Sequence, residues 1–425
     1  MKILIIAKAF APDSVIGAVR INKFAEYLTN FGHDVSVICS SKISMAKDES
    51  LLNPLKEVNI VRYDSKTESN RASITISKNT TLNNNLLNRI KGRVNRTIRY
   101  YKEASSESKQ IINTYNCHNE LQDFDVLIST FSPLACIIAA NSIIKKSNKS
   151  WIIDLRDLMD NHVYPFEMRL GNSFYQRVFL NKCSAVICTS NNSSNYLKHK
   201  YPRIKDRVFT VFNGYSPNKN INIENKEVDK EVLNIVYTGS LYDGRRSIKP
   251  LFSAIKRITD EYPNFKVIFH YAGGEGKEAI KQSEEVGLYN IVKDYGQLSR
   301  SQAAFIQSQA DLFLVISWNS KHEKGVIPGK LYEAIACSKP VVGLISGNVA
   351  NSELKTIIEN YSIGICFEEA TKDVDQLQLY DYLVSQCISK REKGIIIYNP
   401  NKEVFDYFSH ENQIHILERV VTSLT

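Results

Sequence analysis

The chain has 425 residues, of which 43% are hydrophobic and 23% charged, and its formal net charge is +9. This length excludes a single ordinary hydrophobic core and predicts two domains, and the composition is that of a globular protein. The eight cysteines show no zinc-site spacing, the apolar start is too short for a signal peptide, and no uncharged apolar run could span a membrane. We therefore expect a cytoplasmic protein.

Continuous apolar segments alternate with helical patterns through the first half of the chain. The predicted strands are Ile3–Ala7, Asp34–Cys39, Val58–Tyr63, Val126–Ser129, Trp151–Leu155, Ala185–Thr189 and Val208–Phe212. The predicted helices between them include Gly17–Phe31, Pro133–Lys145, Asn172–Cys183 and Asn192–Tyr201. Apolar strands separated by helices indicate a parallel sheet covered on both faces, so residues 1–214 are predicted to form one Rossmann-like domain.

The segment Leu86–Lys102 carries six basic residues and no acid, and its apolar residues recur at spacings of three and four. This pattern predicts a basic amphipathic helix. The helix could lie on an anionic membrane surface, or it could pack its apolar stripe in the core and expose its basic face. No nucleic-acid-binding motif accompanies the charge, so nucleic acid is not an expected partner.

A second alternating series follows a polar stretch at 215–232, which reads as a linker. Residues 233–400 are predicted to form a second Rossmann-like domain. Its predicted strands are Leu233–Tyr237, Lys266–Tyr271, Ile291–Tyr295, Asp311–Ile316, Val341–Leu344 and Gly364–Phe367. The last predicted helix, within 401–425, is long enough to pack back on the first domain. Two tandem doubly wound α/β domains predict a ligand-binding interdomain cleft at the carboxyl ends of their strands.

The segment Gly325–Gly343 is predicted to contain a loop, a short helix that begins at Pro328 and Gly329, and a buried strand. A helix start presents free N–H groups and a positive dipole end, which favour a phosphate. Lys330 adds a charge there, and Glu333 shares its helix face and could accept hydrogen bonds from ribose hydroxyls. An ordinary amphipathic helix with a surface lysine and glutamate fits the same residues.

Other loops that follow predicted strands contain glycines and arginines. Gly17 stands at a helix start, where it would let an anion approach the backbone, although a simple cap has the same sequence. Gly239, Arg245 and Arg246 follow the strand that ends at Tyr237, and guanidinium groups suit bidentate phosphate binding. Gly273 begins a glycine-rich turn that is not a dinucleotide fingerprint.

In the first half, Asp154, Arg156 and Asp157 stand where a buried strand meets a loop. Charges at such a place are paired or functional, and Asp154 could simply pair with Arg156. His162 could carry a proton or be an ordinary surface residue. The turn Asn213–Gly214 could be a hinge or a ligand contact.

Together, these segments resemble a nucleotide-sugar glycosyltransferase of the two-Rossmann GT-B architecture, and glycosyltransferase family 4 in particular. The resemblance is strongest in Tyr237–Ser247 and Gly325–Gly343. It implies that the C-terminal domain binds a nucleoside-diphosphate sugar and the N-terminal domain an acceptor. The donor-binding residues it implies are Gly17, Gly239, Arg245, Arg246, Gly273, Pro328, Gly329, Lys330, Leu331 and Glu333, and the catalytic residues Asp157, Arg246 and Lys330.

The resemblance implies a retaining hexosyl- or aminohexosyltransferase that extends a capsule or O-antigen saccharide on a lipid carrier, with no cofactor and no metal. Many family members have a sugar-contacting glutamate where this chain has Gly325. Three alternatives stay open. One is a nucleotide-sugar 2-epimerase, and the second is an inactive sugar-nucleotide-binding scaffold of an assembly complex, which the missing glutamate favours. The third is a peripheral membrane adaptor that uses the helix Leu86–Lys102.

Overall fold

A computed structural model of the chain describes residues 1–43, 47–65, 86–162, 164–216, 231–242, 244, 246–321 and 327–424. The chain divides into two compact units, one formed by Met1–Phe212 with His410–Thr425 and the other by Asn213–Ser409. The second unit extends past residue 400, where the sequence predicted its end. Among the described helices, none is long and apolar enough to cross a membrane.

The first unit is built on a seven-stranded sheet. Its strands are β1 (Lys2–Ile6), β2 (Asp34–Ser40), β3 (Asn59–Tyr63), β4 (Val126–Phe131), β5 (Ser150–Leu155), β6 (Ala185–Cys188) and β7 (Val208–Thr210). They pair in parallel in the order β3–β2–β1–β4–β5–β6–β7. The central strands are buried along almost their whole length, since helices cover both faces.

The helices of the first unit are α1 (Ile16–Asn30), α2 (Leu86–Cys117), α3 (Leu134–Ser147), α4 (Phe166–Leu180) and α5 (Asn191–Lys200). The last helix of the chain, α13 (His410–Thr422), also belongs to this unit. Its buried residues Ile414, Leu417 and Val421 join the apolar cluster that lies on one face of the sheet. The burial of this apolar stripe accounts for its return to the first unit.

The second unit has a six-stranded sheet with the strands β8 (Val232–Thr238), β9 (Lys266–Ala272), β10 (Val292–Asp294), β11 (Leu312–Trp318), β12 (Val341–Ser346) and β13 (Gly364–Glu368). The strands are parallel, in the order β10–β9–β8–β11–β12–β13. Its helices are α6 (Lys249–Glu261), α7 (Gly276–Glu284), α8 (Arg300–Gln309), α9 (Gly329–Ala336), α10 (Glu353–Asn360), α11 (Lys372–Lys393) and α12 (Glu403–Tyr407). The two parallel sheets confirm the predicted fold class.

Four helices differ from the sequence prediction, and one of them is the last predicted helix, which is divided into α12 and α13. The basic helix α2 continues to Cys117, well beyond Lys102, because Ala104 and Ile111 extend its buried stripe. Helix α4 begins at Phe166 rather than Asn172. Helix α11 was missed, although it buries Leu379 and other residues one turn apart in the core of the second unit.

Candidate functional site

The order of the strands in the second unit reverses at β8, which lies between β9 and β11. At such a reversal, the loops after two neighbouring strands lead away from each other and leave a crevice between them. This crevice is where α/β sheets bind ligands. The loop after β8 carries Gly239 and Arg246, and the chain after β11 leads to Lys330 and Glu333. The sheet topology thus brings two segments that are distant in sequence to one edge.

Lys330 lies on the first turn of α9 and Glu333 on the next. The Lys330 Nζ lies 2.8 Å from both carboxylate oxygens of Glu333, and the two side chains are 25% and 40% exposed. The helix follows the extended Pro328, and among the described residues no side chain caps its N–H groups and none lies within 4 Å of a Cβ built on Gly329. This helix start is therefore open to a ligand, with a cation and a carboxylate beside it.

Gln307 of α8 fixes the position of the glutamate. Its amide donates both to Glu333 Oε2 and to Thr238 Oγ1, the latter at 2.7 Å, and the side chain is buried. No sequence motif pointed to this residue, which lies on a different helix. Leu331, in contrast, offers little to a ligand, because its side chain is fully buried and its N–H donates to the Pro328 carbonyl at 3.1 Å.

Arg246 is held in an aromatic cluster. Its guanidinium carbon lies 4.5 Å from the ring centroid of Tyr242 and 5.2 Å from that of Trp318, and its Nη1 donates to the Tyr237 hydroxyl at 2.8 Å. Burial raises the pKa of Tyr237, and Arg246 opposes that shift. Within the described part of the chain, the buried Arg246 Nε and Trp318 Nε1 have no hydrogen-bond partner. Arg245 lies outside the described residues.

The loop after β8 is in contact with the loop after β9. The Tyr271 hydroxyl donates to the Gly239 carbonyl at 3.0 Å, and a Cβ on Gly273 would lie only 2.3 Å from that same oxygen. Burial raises the pKa of Tyr271 to about 12, so it remains a donor. A Cβ on Gly239 would lie 3.8 Å from Lys330 Cε, which connects this loop with α9. Gly273 therefore allows the close approach of the two loops, whereas a Cβ on Gly239 would make only ordinary van der Waals contact with Lys330.

Glu275, which the sequence analysis did not single out, also shapes this loop. Its carboxylate accepts hydrogen bonds from the Ser240 hydroxyl and from the N–H groups of Leu241 and Tyr242, the last at 3.2 Å. A carboxylate bound to successive backbone N–H groups fixes a turn firmly. The aromatic platform for Arg246 is thereby held in place.

In the first unit, the expected pairing of Asp154 with Arg156 is wrong. The Asp154 Oδ1 instead accepts from Arg20 Nε at 3.0 Å and Nη2 at 2.9 Å, and its Oδ2 accepts from the Thr130 hydroxyl at 3.0 Å. Asp154 is fully buried and Arg20 nearly so. The pair joins α1 to the end of β5 across 134 positions of sequence, so sequence proximity could not indicate it.

Arg156 binds backbone carbonyls instead. Its guanidinium donates to Gly17 at 2.9 Å, to Ser132 at 2.7 Å and to Phe131 at 3.3 Å. A Cβ on Gly17 would lie 2.6 Å from Arg156 Nη1. Gly17 thus makes room for an arginine in the structure, whereas the sequence predicted that it makes room for an anion.

Asp157 and His162 lie in the loop between β5 and α4. The Asp157 side chain is exposed, but the protein around it disfavours the charged form and raises its pKa, while Arg156 opposes the shift. His162 is exposed and contacts Arg169. The turn at Asn213–Gly214 stands where the first unit passes into the second.

Residues 233–374 match the profile of the family described as glycosyl transferases group 1. This range includes the predicted donor-binding residues of the second unit. No curated protein matches the chain.

Solved structures share the fold over the whole chain. A sucrose-phosphate synthase from Thermosynechococcus elongatus is 13% identical, with a TM-score of 0.63. The superposition covers 100% of this chain and 98% of the synthase chain. The apo lipopolysaccharide outer core galactosyltransferase WaaB is 15% identical, with a TM-score of 0.60 and coverages of 100% and 99%. Anabaena HepE in complex with UDP-glucose is 14% identical, with a TM-score of 0.58 and coverages of 100% and 100%. The chain therefore has the GT-B fold.

Proposed function

We propose that this protein is a retaining glycosyltransferase that moves a hexose or aminohexose from a nucleoside-diphosphate sugar to a lipid-linked saccharide. The observation that carries the proposal is the set of Arg246, Lys330 and Glu333 at the switch point of a unit that matches a glycosyltransferase family. A sucrose-phosphate synthase and a protein bound to UDP-glucose share the fold, which supports sugar transfer from such a donor.

In this proposal the diphosphate occupies the open start of α9. Lys330 and Arg246, with Arg245, neutralise its charge, and Glu333 accepts hydrogen bonds from the ribose hydroxyls. Gln307 keeps Glu333 oriented once Lys330 has turned to the phosphates. The acceptor binds to the first unit near Asp157, an exposed carboxyl group that can accept a hydrogen bond from an acceptor hydroxyl.

The transfer proceeds by front-face displacement, in which the acceptor attacks the anomeric carbon from the side on which the diphosphate leaves. The bond between the anomeric carbon and the diphosphate oxygen breaks, and a bond from the acceptor oxygen to the same carbon forms on that side. The acceptor proton passes to the departing diphosphate oxygen. Arg246, Lys330 and the dipole of α9 stabilise the negative charge that develops on the leaving group, so these groups fill the role that a metal ion has elsewhere.

We propose capsule or O-antigen assembly at the inner face of the cytoplasmic membrane as the setting, and the basic helix α2 as the part that meets an anionic surface. A lipopolysaccharide galactosyltransferase shares the fold, which supports a saccharide acceptor of this class. A lipid-linked acceptor would require the enzyme to work at a bilayer.

The test combines nucleotide binding with transfer. A saturating donor nucleotide at about one hundred times its Kd stabilises a protein by about 2.7 kcal/mol, so UDP or GDP should raise the melting temperature. Lys330→Ala and Glu333→Ala should lose most of this effect and of sugar transfer to a lipid extract. Their own stability should change by no more than about 1 kcal/mol, because the pair is half-exposed.

Lys339→Ala, three residues after the end of α9, and Glu284→Ala on α7 are the matched controls. Near wild-type transfer by both Lys330→Ala and Glu333→Ala would refute the assignment of the site. Nucleotide binding without any transfer or donor hydrolysis would favour the inactive scaffold, for which Gly325 is the supporting feature. Conversion of a donor to its 2-epimer would identify an epimerase.

A further inference from the structure

Helix α4 of the first unit presents a row of large apolar side chains to solvent. Phe166, Leu170 and Phe174 are 60%, 58% and 64% exposed, and their four-residue spacing places them on one helix face. The outer face of a helix in a globular protein is normally polar. Exposed apolar residues that cluster in this way mark a surface that binds something.

Helix α2 carries a second exposed apolar row, formed by Val94 and Ile98. The two helices are packed on each other through Tyr101 of α2. Its hydroxyl donates to the Met168 carbonyl at 3.0 Å, and a Cβ on Gly171 of α4 would lie 2.2 Å from that hydroxyl oxygen. The two rows thus belong to one rigid pair of helices, and we call the five side chains Val94, Ile98, Phe166, Leu170 and Phe174 the α2–α4 face.

The charges around the α2–α4 face are positive. The described exposed cations of these helices are Lys91, Arg93, Arg96, Arg99, Lys102, Lys109 and Arg177, against the exposed acid Glu103 and the half-buried Glu167. From 91 to 102 there is no acidic residue, and among the described residues Arg99 is the cation of this stretch with a carboxylate partner, Glu103 at 2.8 Å. Apolar side chains bordered by arginine and lysine match the interface of a bilayer with anionic lipids.

Charge also decides against a second copy of the chain as the occupant. In a two-fold dimer, the same patch would meet itself. The cations of α2 would then face the cations of the other α2, and like charges across an interface are repulsive.

The topology places the face at the functional end of the first unit. In a parallel sheet, a crossover helix begins at the carboxyl end of the strand before it. Val94 and Ile98 lie in the first half of α2, and the row on α4 begins directly after the loop that holds Asp157. The α2–α4 face is therefore near the edge of the sheet where the acceptor is proposed to bind.

We infer that the α2–α4 face docks on an anionic lipid bilayer, with the apolar row of α4 inserted between headgroups and the basic residues of α2 against their phosphates. Docking would bring the loop with Asp157 to the membrane surface, where a lipid-linked saccharide presents its sugar. The contact of α2 with an anionic surface is part of the proposed function, and α4 adds the apolar row to it. Only the position of the Asp157 loop depends on sugar transfer, since a lipid-binding surface does not require catalysis.

Co-sedimentation of the full chain with vesicles tests the apolar part. The wild type should bind phosphatidylcholine vesicles that contain phosphatidylglycerol and not those of phosphatidylcholine alone. Leu170→Ser with Phe174→Ser should weaken vesicle binding at least about tenfold, because the substitutions remove apolar groups that would be buried in the bilayer. Val374→Ser with Leu377→Ser, which changes two equally exposed apolar residues of α11, should bind as the wild type does.

A second pair of variants tests the electrostatic contribution to vesicle binding. Arg93→Gln with Arg96→Gln should weaken binding by about fivefold per arginine, and added salt should reduce the difference. Arg203→Gln with Lys205→Gln removes two exposed cations elsewhere in the first unit and should have no effect. Melting curves should be unchanged for all four double variants, since every altered side chain is exposed.

Failure of the wild type to bind anionic vesicles would overturn the proposal, as would full binding by Leu170→Ser with Phe174→Ser. A dimer in sedimentation equilibrium that this variant abolishes would assign the face to a second copy instead. The nucleotide-induced rise in melting temperature, measured on the same proteins, reports on the proposed function independently. Vesicle binding without any nucleotide response would uphold the lipid surface and refute the transferase.

Discussion

Replacing Asp154 by asparagine tests how the first unit is held together. The substitution keeps the shape and one oxygen but removes the charge that binds Arg20 through two contacts of 2.9 and 3.0 Å. The guanidinium would remain buried beside the Phe212 carbonyl and the Phe24 ring, without the carboxylate charge that it binds. Loss of one partner of a buried ion pair costs about 3–5 kcal/mol, so we expect a decrease of that size in the free energy of unfolding.

Urea unfolding followed by fluorescence can measure this change in the first unit alone. The chain has two tryptophans, of which Trp151 lies in the core of the first unit and Trp318 in the second. In a Trp318→Phe background, the emission of Trp151 reports the first unit. Glu103→Gln, which breaks an exposed ion pair, is the control and should cost less than about 1 kcal/mol. A similarly small loss for Asp154→Asn would refute the reasoning.

Three further predictions concern the second unit. Gly273→Ala would place a Cβ 2.3 Å from the Gly239 carbonyl oxygen, so UDP affinity in calorimetry should fall about tenfold or more, and unchanged affinity would contradict the loop packing. Ser338 has a left-handed φ of 50°, so Ser338→Gly should raise the free energy of unfolding in urea by about 0.5 kcal/mol, whereas a loss would argue against strain. Burial lowers the pKa of His270 from 6.5 to about 4, so the unfolded state binds more protons between these values. Stability should therefore fall as the pH drops through this window, and His270→Asn should flatten the curve measured by urea unfolding.

The sequence patterns predicted the sheets well because the signal is local. A fully buried parallel strand needs a continuous apolar run, and such runs mark almost every strand of both units. The start of α4 was misplaced because Phe166 and Leu170 are exposed and do not belong to a core stripe. For α11, the buried Leu379, Leu383 and Cys387 recur every four residues, so a helical signal was present but was not used.

The candidate site was predictable only where its residues are close in sequence. Lys330 and Glu333 are three positions apart on one helix, and spacing alone was enough to pair them. Gln307, Trp318 and Glu275 approach the site from other elements, through strand neighbours that the pattern of apolar runs does not specify. Whether their arrangement accommodates a donor stays a prediction.

Because Lys330 and Glu333 form an ion pair, their separate roles in ligand binding can be distinguished by experiment. A half-exposed pair contributes less than about 1 kcal/mol, whereas a hydrogen bond to a charged group contributes about 1.5–3 kcal/mol. A diphosphate can therefore take Lys330 from Glu333 at little cost, and the carboxylate becomes available to the ribose. It follows that Lys330→Ala should weaken the binding of both UDP and inorganic pyrophosphate. Glu333→Ala should weaken the binding of UDP but not that of pyrophosphate, because loss of the competing carboxylate leaves Lys330 free for the phosphates. Equal losses for pyrophosphate in both variants would mean that Glu333 holds the lysine in place and does not contact the nucleoside.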